Sequence, residues 1–167
     1  MATRMLVLIR QAKAGKGPVD AERTLTPRGQ RDAGAVGVWL AQLGVVPDRV
    51  VVSPAARARQ TWAGAAAALP GTPDPVADDR IYDNAVDELL EIVRETPDDV
   101  STLVLVGHNP SFGEFAHQLD DERGDADARQ EVLAGFPTSA VAVFDVADWP
   151  DVAPRGGTLR HCAVPRG

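Results

Sequence analysis

The sequence predicts an α/β layer sandwich in which helices flank a mainly parallel central sheet. Short apolar runs, typical of strands buried on both faces, alternate along the chain with helix-like segments. Helical crossovers separate the first three of these runs, and such crossovers place successive strands parallel in one sheet. Because the sequence has neither an internal repeat nor a long linker, residues 1–167 are expected to form one domain.

The first strand and the first helix are marked by an apolar run and by capping residues. Residues 5–9 (MLVLI) are predicted to be the first strand. Thr26 is typical of a helix N-cap and Pro27 of the first helical position, so a helix is predicted from there to about Leu43. Gly44 is a typical C-terminal stop for this helix.

The same patterns predict the remaining elements. Strands are expected at the apolar runs 50–52, 103–106 and 140–144 and at residues 158–164, with a short extended piece near Val76. Helices are expected after Ser53-Pro54 to about Leu69, from Val86 to near Glu95 and from about Ser111 to Leu119. The acidic segment 120–131 is predicted to be an exposed loop or a surface helix.

Charge and cysteine content narrow the class of protein. The net charge of -7 argues against nonspecific nucleic-acid binding and against binding to anionic membranes. The chain has one cysteine, so it can form no intramolecular disulfide, and a zinc cluster is not expected. No window is long and apolar enough to predict a membrane span. These features predict a cytoplasmic protein with no nucleic-acid or membrane partner.

Polar groups follow the first three apolar runs, at the points where the strands should end. Arg10 and Gln11 follow the first run, Ser53 and Arg57 the second, and His108 the third. The carboxyl ends of parallel strands meet at one sheet edge, where open α/β sheets bind ligands. Two arginines and a histidine there predict a phosphate site without a metal. The alternative is a structural histidine with arginines at the surface.

Four segments in the same order resemble the histidine phosphatase, or phosphoglycerate-mutase-like, superfamily. They are residues 8–12 (LIRQA), 24–29 (TLTPRG), 53–61 (SPAARARQT) and 106–110 (VGHNP). The short chain and the variants around these motifs are most similar to the SixA-type phosphohistidine phosphatases. The resemblance implies a three-layer sandwich and a phosphatase that works through a covalent phosphohistidine, with no cofactor and no metal.

One residue departs from the family pattern. The position of the family's nucleophilic histidine is occupied by Gln11, and a neutral carboxamide is a very poor nucleophile. Gln11 is therefore expected to disable catalysis. It is either an introduced change in an enzyme or the natural residue of a protein that binds phosphate without turning it over.

The resemblance also implies roles for the other residues. Arg10 and Arg57 would clamp the phosphoryl oxygens, and His108 would donate a hydrogen bond to them. Asp83 is the candidate for a general acid, although a phosphohistidine depends less on an acid than a phosphoester does. Arg59 is expected at the surface or behind the site.

The expected partners are inorganic phosphate and a protein that carries phosphohistidine, or alternatively a small phosphorylated molecule. His117 and His161 are expected to lie away from the cleft. Lys13 and Lys16 are expected to be solvated, with screening of a charged substrate as the alternative.

Overall fold

The structure is a computed structural model that describes residues 3–167; Met1 and Ala2, which the predicted domain 1–167 includes, lie outside it. The described residues form a six-stranded mixed sheet with the strand order β3-β2-β4-β1-β5-β6. The strands are β1 (Arg4–Arg10), β2 (Arg49–Val52), β3 (Val76–Ala77), β4 (Thr102–Gly107), β5 (Val141–Val146) and β6 (Gly157–Ala163).

Six α-helices cover this sheet in the described part of the chain. They are α1 (Pro27–Gln42), α2 (Ala56–Ala66), α3 (Asp79–Tyr82), α4 (Val86–Arg94), α5 (Ser111–Leu119) and α6 (Ala126–Ala134). Two 3-10 turns, at Asp20–Glu22 and Trp149–Asp151, lie in the loops. Within residues 3–167 none of the helices combines the length and the apolar character needed to cross a bilayer.

The two faces of β1 show how the layers are built. Leu6 and Leu8 pack into a core with α4, α5 and α6, whereas Val7 and Ile9 pack into a second core with α1 and α2. Successive side chains of a strand point to opposite faces, so an unbroken apolar run is what a strand covered on both sides requires. The structure is therefore the predicted α/β sandwich of three layers with a mainly parallel sheet.

The capping residues predicted the ends of the first helix correctly. The Thr26 hydroxyl accepts a hydrogen bond from the amide of Gly29 at 3.0 Å, which caps α1, and Gly44 has a φ of 74° just beyond its end. In the acidic segment 120–131 both predicted alternatives occur, because a loop leads into α6. That helix buries Ala128 and Val132, so it belongs to the core on one side.

The register of the sheet brings the strand ends together. β1 pairs in parallel with β4, with Arg10 opposite Gly107, and β4 pairs in parallel with β2. β5 runs antiparallel to β1, so the amino end of β5 lies at the edge where β1 ends. Residues that follow β1, β2 and β4 therefore share one edge with the loop that precedes β5.

Candidate functional site

Three buried polar side chains meet where the central strands end. His108 follows β4, Gln11 follows β1 and Ser53 follows β2. The Nδ1 atom of His108 lies 3.2 Å from the Oε1 atom of Gln11, and its Nε2 atom lies 2.7 Å from the hydroxyl of Ser53. His108 is 5% exposed and Gln11 is 8% exposed, so water does not replace these hydrogen bonds.

The hydrogen-bond pattern determines the tautomer of His108. The Oε1 atom of Gln11 can only accept, so Nδ1 carries the ring proton and donates it to Gln11. Nε2 of the neutral ring then accepts from the Ser53 hydroxyl, whose oxygen also accepts from the amide of Ala55 at 3.2 Å. Burial, and after it the positive charge of Arg57, lowers the pKa of His108 to about 4. The ring is therefore neutral at pH 7.

Arg57 lies in the first turn of α2, with its guanidinium beside this cluster. The residue is 7% exposed, and its positive charge acts on His108. The hydroxyl of Thr61 donates to the carbonyl oxygen of Arg57 at 2.7 Å and accepts from the amide of Ala12 at 2.9 Å. This contact ties α2 to the segment that follows Gln11, and so fixes Arg57 relative to the end of β1.

Asp20, in the first 3-10 turn, forms an ion pair with the guanidinium of Arg57. Arg57 donates from Nη1 to the Asp20 carbonyl oxygen at 2.9 Å and from Nη2 to the Asp20 carboxylate at 3.2 Å. Tyr82 donates its hydroxyl to the same carboxylate at 2.6 Å, and Arg23 donates to it at 3.0 Å. The hydrogen bond from Tyr82, followed by the contacts with Arg57 and Arg23, lowers the pKa of Asp20 to about 2.

Tyr82 connects this ion pair to His108. Its ring stands edge-on to the imidazole, with 5.8 Å between ring centroids and 88° between ring planes. Asp20 and Tyr82 together therefore cover one side of the site. Neither residue was predicted from the sequence, because their roles depend on how a loop and α3 fold over the sheet edge.

Arg10 is held on the other side of the cluster by the loop before β5. Its Nη1 atom donates to the carbonyl oxygen of Phe136 at 3.1 Å, and Asn109 donates to the same oxygen at 2.7 Å. Burial lowers the pKa of Arg10 from its ordinary value. The Nε atoms of Arg10 and Arg57 are buried and have no hydrogen-bond partner among residues 3–167.

Asn84 supports the loop that carries His108. Its side chain donates to the carbonyl oxygen of Asn109 at 2.8 Å and accepts from the amide of Ser111 at 3.0 Å. Asn84 has a φ of 62°, a left-handed conformation that asparagine adopts more readily than most residues. The only indication of this role in the sequence is an asparagine directly after Ile81-Tyr82-Asp83. That indication is weak, because the contact with the loop of His108 depends on the fold.

Several other residues singled out in the sequence have no hydrogen bond or ion pair with the cluster in the described part of the chain. Asp83 is exposed at the end of α3, where its neighbouring carboxyl raises the pKa of Glu88. Arg59 is exposed on α2, as expected for a surface residue. His117 on α5 and His161 on β6 are also exposed.

The arrangement provides positive charge and hydrogen-bond donors for an anion. Arg10 and Arg57 carry permanent charges on two sides of His108, and such groups neutralise and orient phosphoryl oxygens. Among residues 3–167, no cluster of three or more His, Cys, Asp or Glu side chains is arranged to hold a metal ion.

The family of the chain follows from comparison with known proteins. The family model described as histidine phosphatase superfamily (branch 1) matches residues 10–110, which is more than half of the chain. This match begins at Arg10 and includes Gln11, Arg57 and His108. The chain belongs to the histidine phosphatase superfamily.

Individual relatives cover nearly the whole chain. An uncharacterized protein of Mycobacterium tuberculosis is 37% identical over 162 residues, which are 95% of this chain and 100% of that protein. A structure described as a candidate phosphohistidine phosphatase SixA from Nakamurella multipartitia is 34% identical, with a TM-score of 0.87 over 99% of this chain and 98% of that one.

A more distant structure shares the fold. The protein histidine phosphatase SixA complexed with tungstate is 22% identical, with a TM-score of 0.72 over 96% of this chain and 97% of that chain. The resemblance to SixA-type proteins and the predicted phosphatase fold are thereby confirmed.

Proposed function

We propose that the protein binds the phosphoryl group of a phosphohistidine-bearing protein between Arg10, Arg57 and His108. The observation that carries this proposal is the convergence of these three side chains at one sheet edge of a SixA-like fold. The tungstate complex of the SixA protein supports it, because tungstate resembles phosphate in charge and shape. No metal or cofactor takes part in the proposed reaction.

Each of the three residues has a distinct task in this proposal. The guanidinium groups of Arg10 and Arg57 hold the equatorial phosphoryl oxygens through charge-assisted hydrogen bonds. The N–H group at Nδ1 of His108 exchanges its hydrogen bond with Gln11 Oε1 for one to a phosphoryl oxygen. These interactions strengthen as charge develops on the oxygens, which is how such a site lowers a reaction barrier.

With glutamine at position 11, the protein hydrolyses a bound phosphoryl group only slowly. In a histidine phosphatase with an imidazole at this position, the ring nitrogen attacks phosphorus, the bond to the leaving group breaks, and water then hydrolyses the covalent phosphohistidine. A carboxamide cannot form that intermediate. The site therefore keeps its capacity to bind a phosphoryl group and lacks the group that attacks it.

A non-catalytic phosphate-binding protein is the second candidate. The observation that favours it is the satisfied hydrogen bond between Gln11 and His108, since Gln11 fits the buried site without leaving a polar atom of His108 unpaired. In this case Gln11 is the natural residue and the protein recognises a phosphorylated partner without chemistry.

The test compares the protein with its Gln11→His variant. Hydrolysis is measured on a small aryl phosphate and on a phosphohistidine-bearing protein, without added metal. Gln11→His should raise the rate by several orders of magnitude, since nucleophilic and electrostatic contributions act as one unit. Gln11→Asn is the matched control, because it also changes the residue but supplies no imidazole.

Each outcome separates the alternatives. Equal and measurable rates for the protein and Gln11→His on both substrates would show that position 11 does not carry the nucleophile. A gain on the aryl phosphate alone would favour a small-molecule phosphatase. Tight phosphate binding by both proteins, with no hydrolysis by either, would favour the non-catalytic function.

A further inference from the structure

A polar cavity lies at the same sheet edge as the candidate site. It has a volume of about 350 Å³ and is lined by Lys13, Arg28, Asp32, Thr138 and Arg166. We call it the basic cavity, since three of its five lining residues are cationic and one is acidic. Such a concentration of positive charge is notable in a chain whose net charge is -7.

Asp32 organises the basic cavity without neutralising it. Its side chain is 1% exposed and accepts hydrogen bonds from Arg166 at 2.9 Å and from the amide of Gly167 at 3.0 Å. Arg28 lies 3.8 Å from the same carboxylate. A buried carboxylate that is fully hydrogen-bonded fixes its partners in place, so Arg166 is held rather than free to rotate.

The arginine and lysine side chains retain donors for a ligand. Arg166 uses only Nη1 in its described hydrogen bonds, to Asp32, Thr138 and Ser139, which leaves Nη2 and Nε without an acceptor among residues 3–167. The side chain of Arg28 is 60% exposed. With Lys13 included, the cavity has three positive charges for one negative charge, which favours an anionic ligand.

One short loop separates the basic cavity from the candidate phosphoryl site. At one end of this loop the carbonyl oxygen of Phe136 holds Arg10, and at the other end the amide of Ser139 donates to the carbonyl oxygen of Gln11 at 3.1 Å. Thr138, between them, lines the basic cavity. Lys13 is two residues beyond Gln11, a span of about 7 Å in an extended chain. A single ligand can therefore reach both places.

We propose that the basic cavity binds a second anionic group of the ligand whose phosphoryl group lies between Arg10, Arg57 and His108. This inference rests on the proposed function. The anion is a carboxylate or a phosphate, because both accept the parallel donors that a guanidinium offers. On a protein ligand it is an acidic side chain near the phosphohistidine; on a small molecule it is a second phosphate.

Calorimetry on the unchanged protein tests the proposal, because slow turnover with Gln11 in the site leaves the ligands intact during the measurement. The probes are inorganic phosphate and two peptides with a stable phosphonate analogue of phosphohistidine, one flanked by glutamate and one by glutamine. A sugar bisphosphate and its monophosphate form a second pair. We expect the more acidic member of at least one pair to bind about 5- to 20-fold more tightly, as partly exposed charge-assisted contacts allow.

Two double variants with the same change in net charge locate the effect. Lys13→Gln/Arg28→Gln should abolish the preference and leave the Kd for inorganic phosphate within about twofold, since these residues lie outside the phosphoryl site. Lys16→Gln/Arg123→Gln changes two exposed residues outside the cavity and should preserve the preference. Thermal unfolding of each variant checks that the fold is retained.

The outcomes distinguish this inference from the function on which it rests. A preference in the peptide pair supports a protein ligand, and one in the sugar pair a small molecule. If inorganic phosphate binds but neither pair shows a preference, or if the preference survives in Lys13→Gln/Arg28→Gln, the basic cavity is not a subsite. If inorganic phosphate does not bind at all, both the proposed function and this inference fail.

Discussion

The carboxylate of Asp20 lies 3.2 Å from the Nη2 atom of Arg57, in the place where a phosphoryl oxygen is expected to bind. Arg57 also donates to the carbonyl oxygen of Asp20, so both terminal nitrogens of the guanidinium are engaged. A phosphate that binds at Arg57 as proposed would have to displace Asp20 or share the guanidinium with it. Asp20 is therefore expected to oppose binding there, because it engages Arg57 and would repel the anion.

Replacing Asp20 with asparagine should therefore strengthen phosphate binding. Asn keeps the size of the side chain and removes the negative charge that competes for Arg57. Because Asp20 is about half exposed, solvent screens the effect, and we expect a gain of about 0.5–1 kcal/mol, or a few-fold in Kd. Calorimetry with inorganic phosphate measures it. Glu22→Gln, an exposed change in the same turn, should leave the Kd unaltered; weaker binding by Asp20→Asn would mean that Asp20 helps to hold the anion.

Loss of the Arg57 guanidinium should weaken phosphate binding. A charge-assisted hydrogen bond contributes about 1.5–3 kcal/mol, so Arg57→Ala should raise the Kd for inorganic phosphate by at least tenfold. Arg59→Ala is the matched control, because Arg59 lies two residues away on the same helix and is exposed. Equal affinities of Arg57→Ala and the unchanged protein would place the phosphate site elsewhere.

His108 should make the protein less stable as the pH falls from about 6.5 to 4. A histidine in the unfolded chain titrates near pH 6.5, whereas the pKa of His108 in the folded protein is about 4. Between these values the unfolded chain binds a proton that the folded protein does not. The contribution of neutral His108 to the free energy of unfolding is therefore complete above pH 6.5. It is lost as the pH falls toward 4, by roughly 1.4 kcal/mol per pH unit.

Urea unfolding at pH 7 and pH 5 measures this effect. His108→Asn should lose about 2 kcal/mol less stability than the unchanged protein between the two pH values, because it removes the titrating group. His117→Asn, at an exposed histidine, provides the control. If His108→Asn and the unchanged protein lose the same stability, the imidazole is not held neutral by its surroundings.

Two glycines of α1 should respond in opposite ways to alanine. A Cβ atom at Gly37 would lie 2.0 Å from the carbonyl oxygen of Ala65 on α2, whereas one at Gly34 would meet no atom within 4 Å. Gly37→Ala should destabilise the protein by about 1–3 kcal/mol or more, since two helix backbones must separate. Gly34→Ala should stabilise it by about 0.5–1 kcal/mol through helix propensity. Urea unfolding of both variants tests the packing of α1 on α2.

The elements that the sequence predicted well are those with strong local causes. Residues 5–9 form a central strand because an unbroken apolar run suits a strand covered on both faces, and Thr26 caps α1 as its hydroxyl and the following proline indicate. The convergence of Arg10, Arg57 and His108 was also predictable, since it follows from the connections between parallel strands.

The contacts that the sequence did not predict join parts of the chain far apart. Asp20 meets Tyr82 across 62 positions, and Asn84 holds the loop of Asn109 across 25 positions. Short polar side chains in loops carry no periodic pattern, so their partners emerge only when the loops are placed in space. The single domain over 1–167 and the role of Asp83 as a general acid stay predictions.

The pairing of β1 with β4 assembles the site from two distant parts of the chain. Gln11 and His108 are 97 positions apart, and the exposed loop 70–75 lies between the two strands in the chain. A proteolytic nick in that loop would leave both arginines on one fragment and the histidine on the other. Only the reassembled pair would contain the whole cluster. If the cluster binds anions as proposed, the anion affinity of the mixed fragments would measure whether they have restored the pairing of β1 with β4.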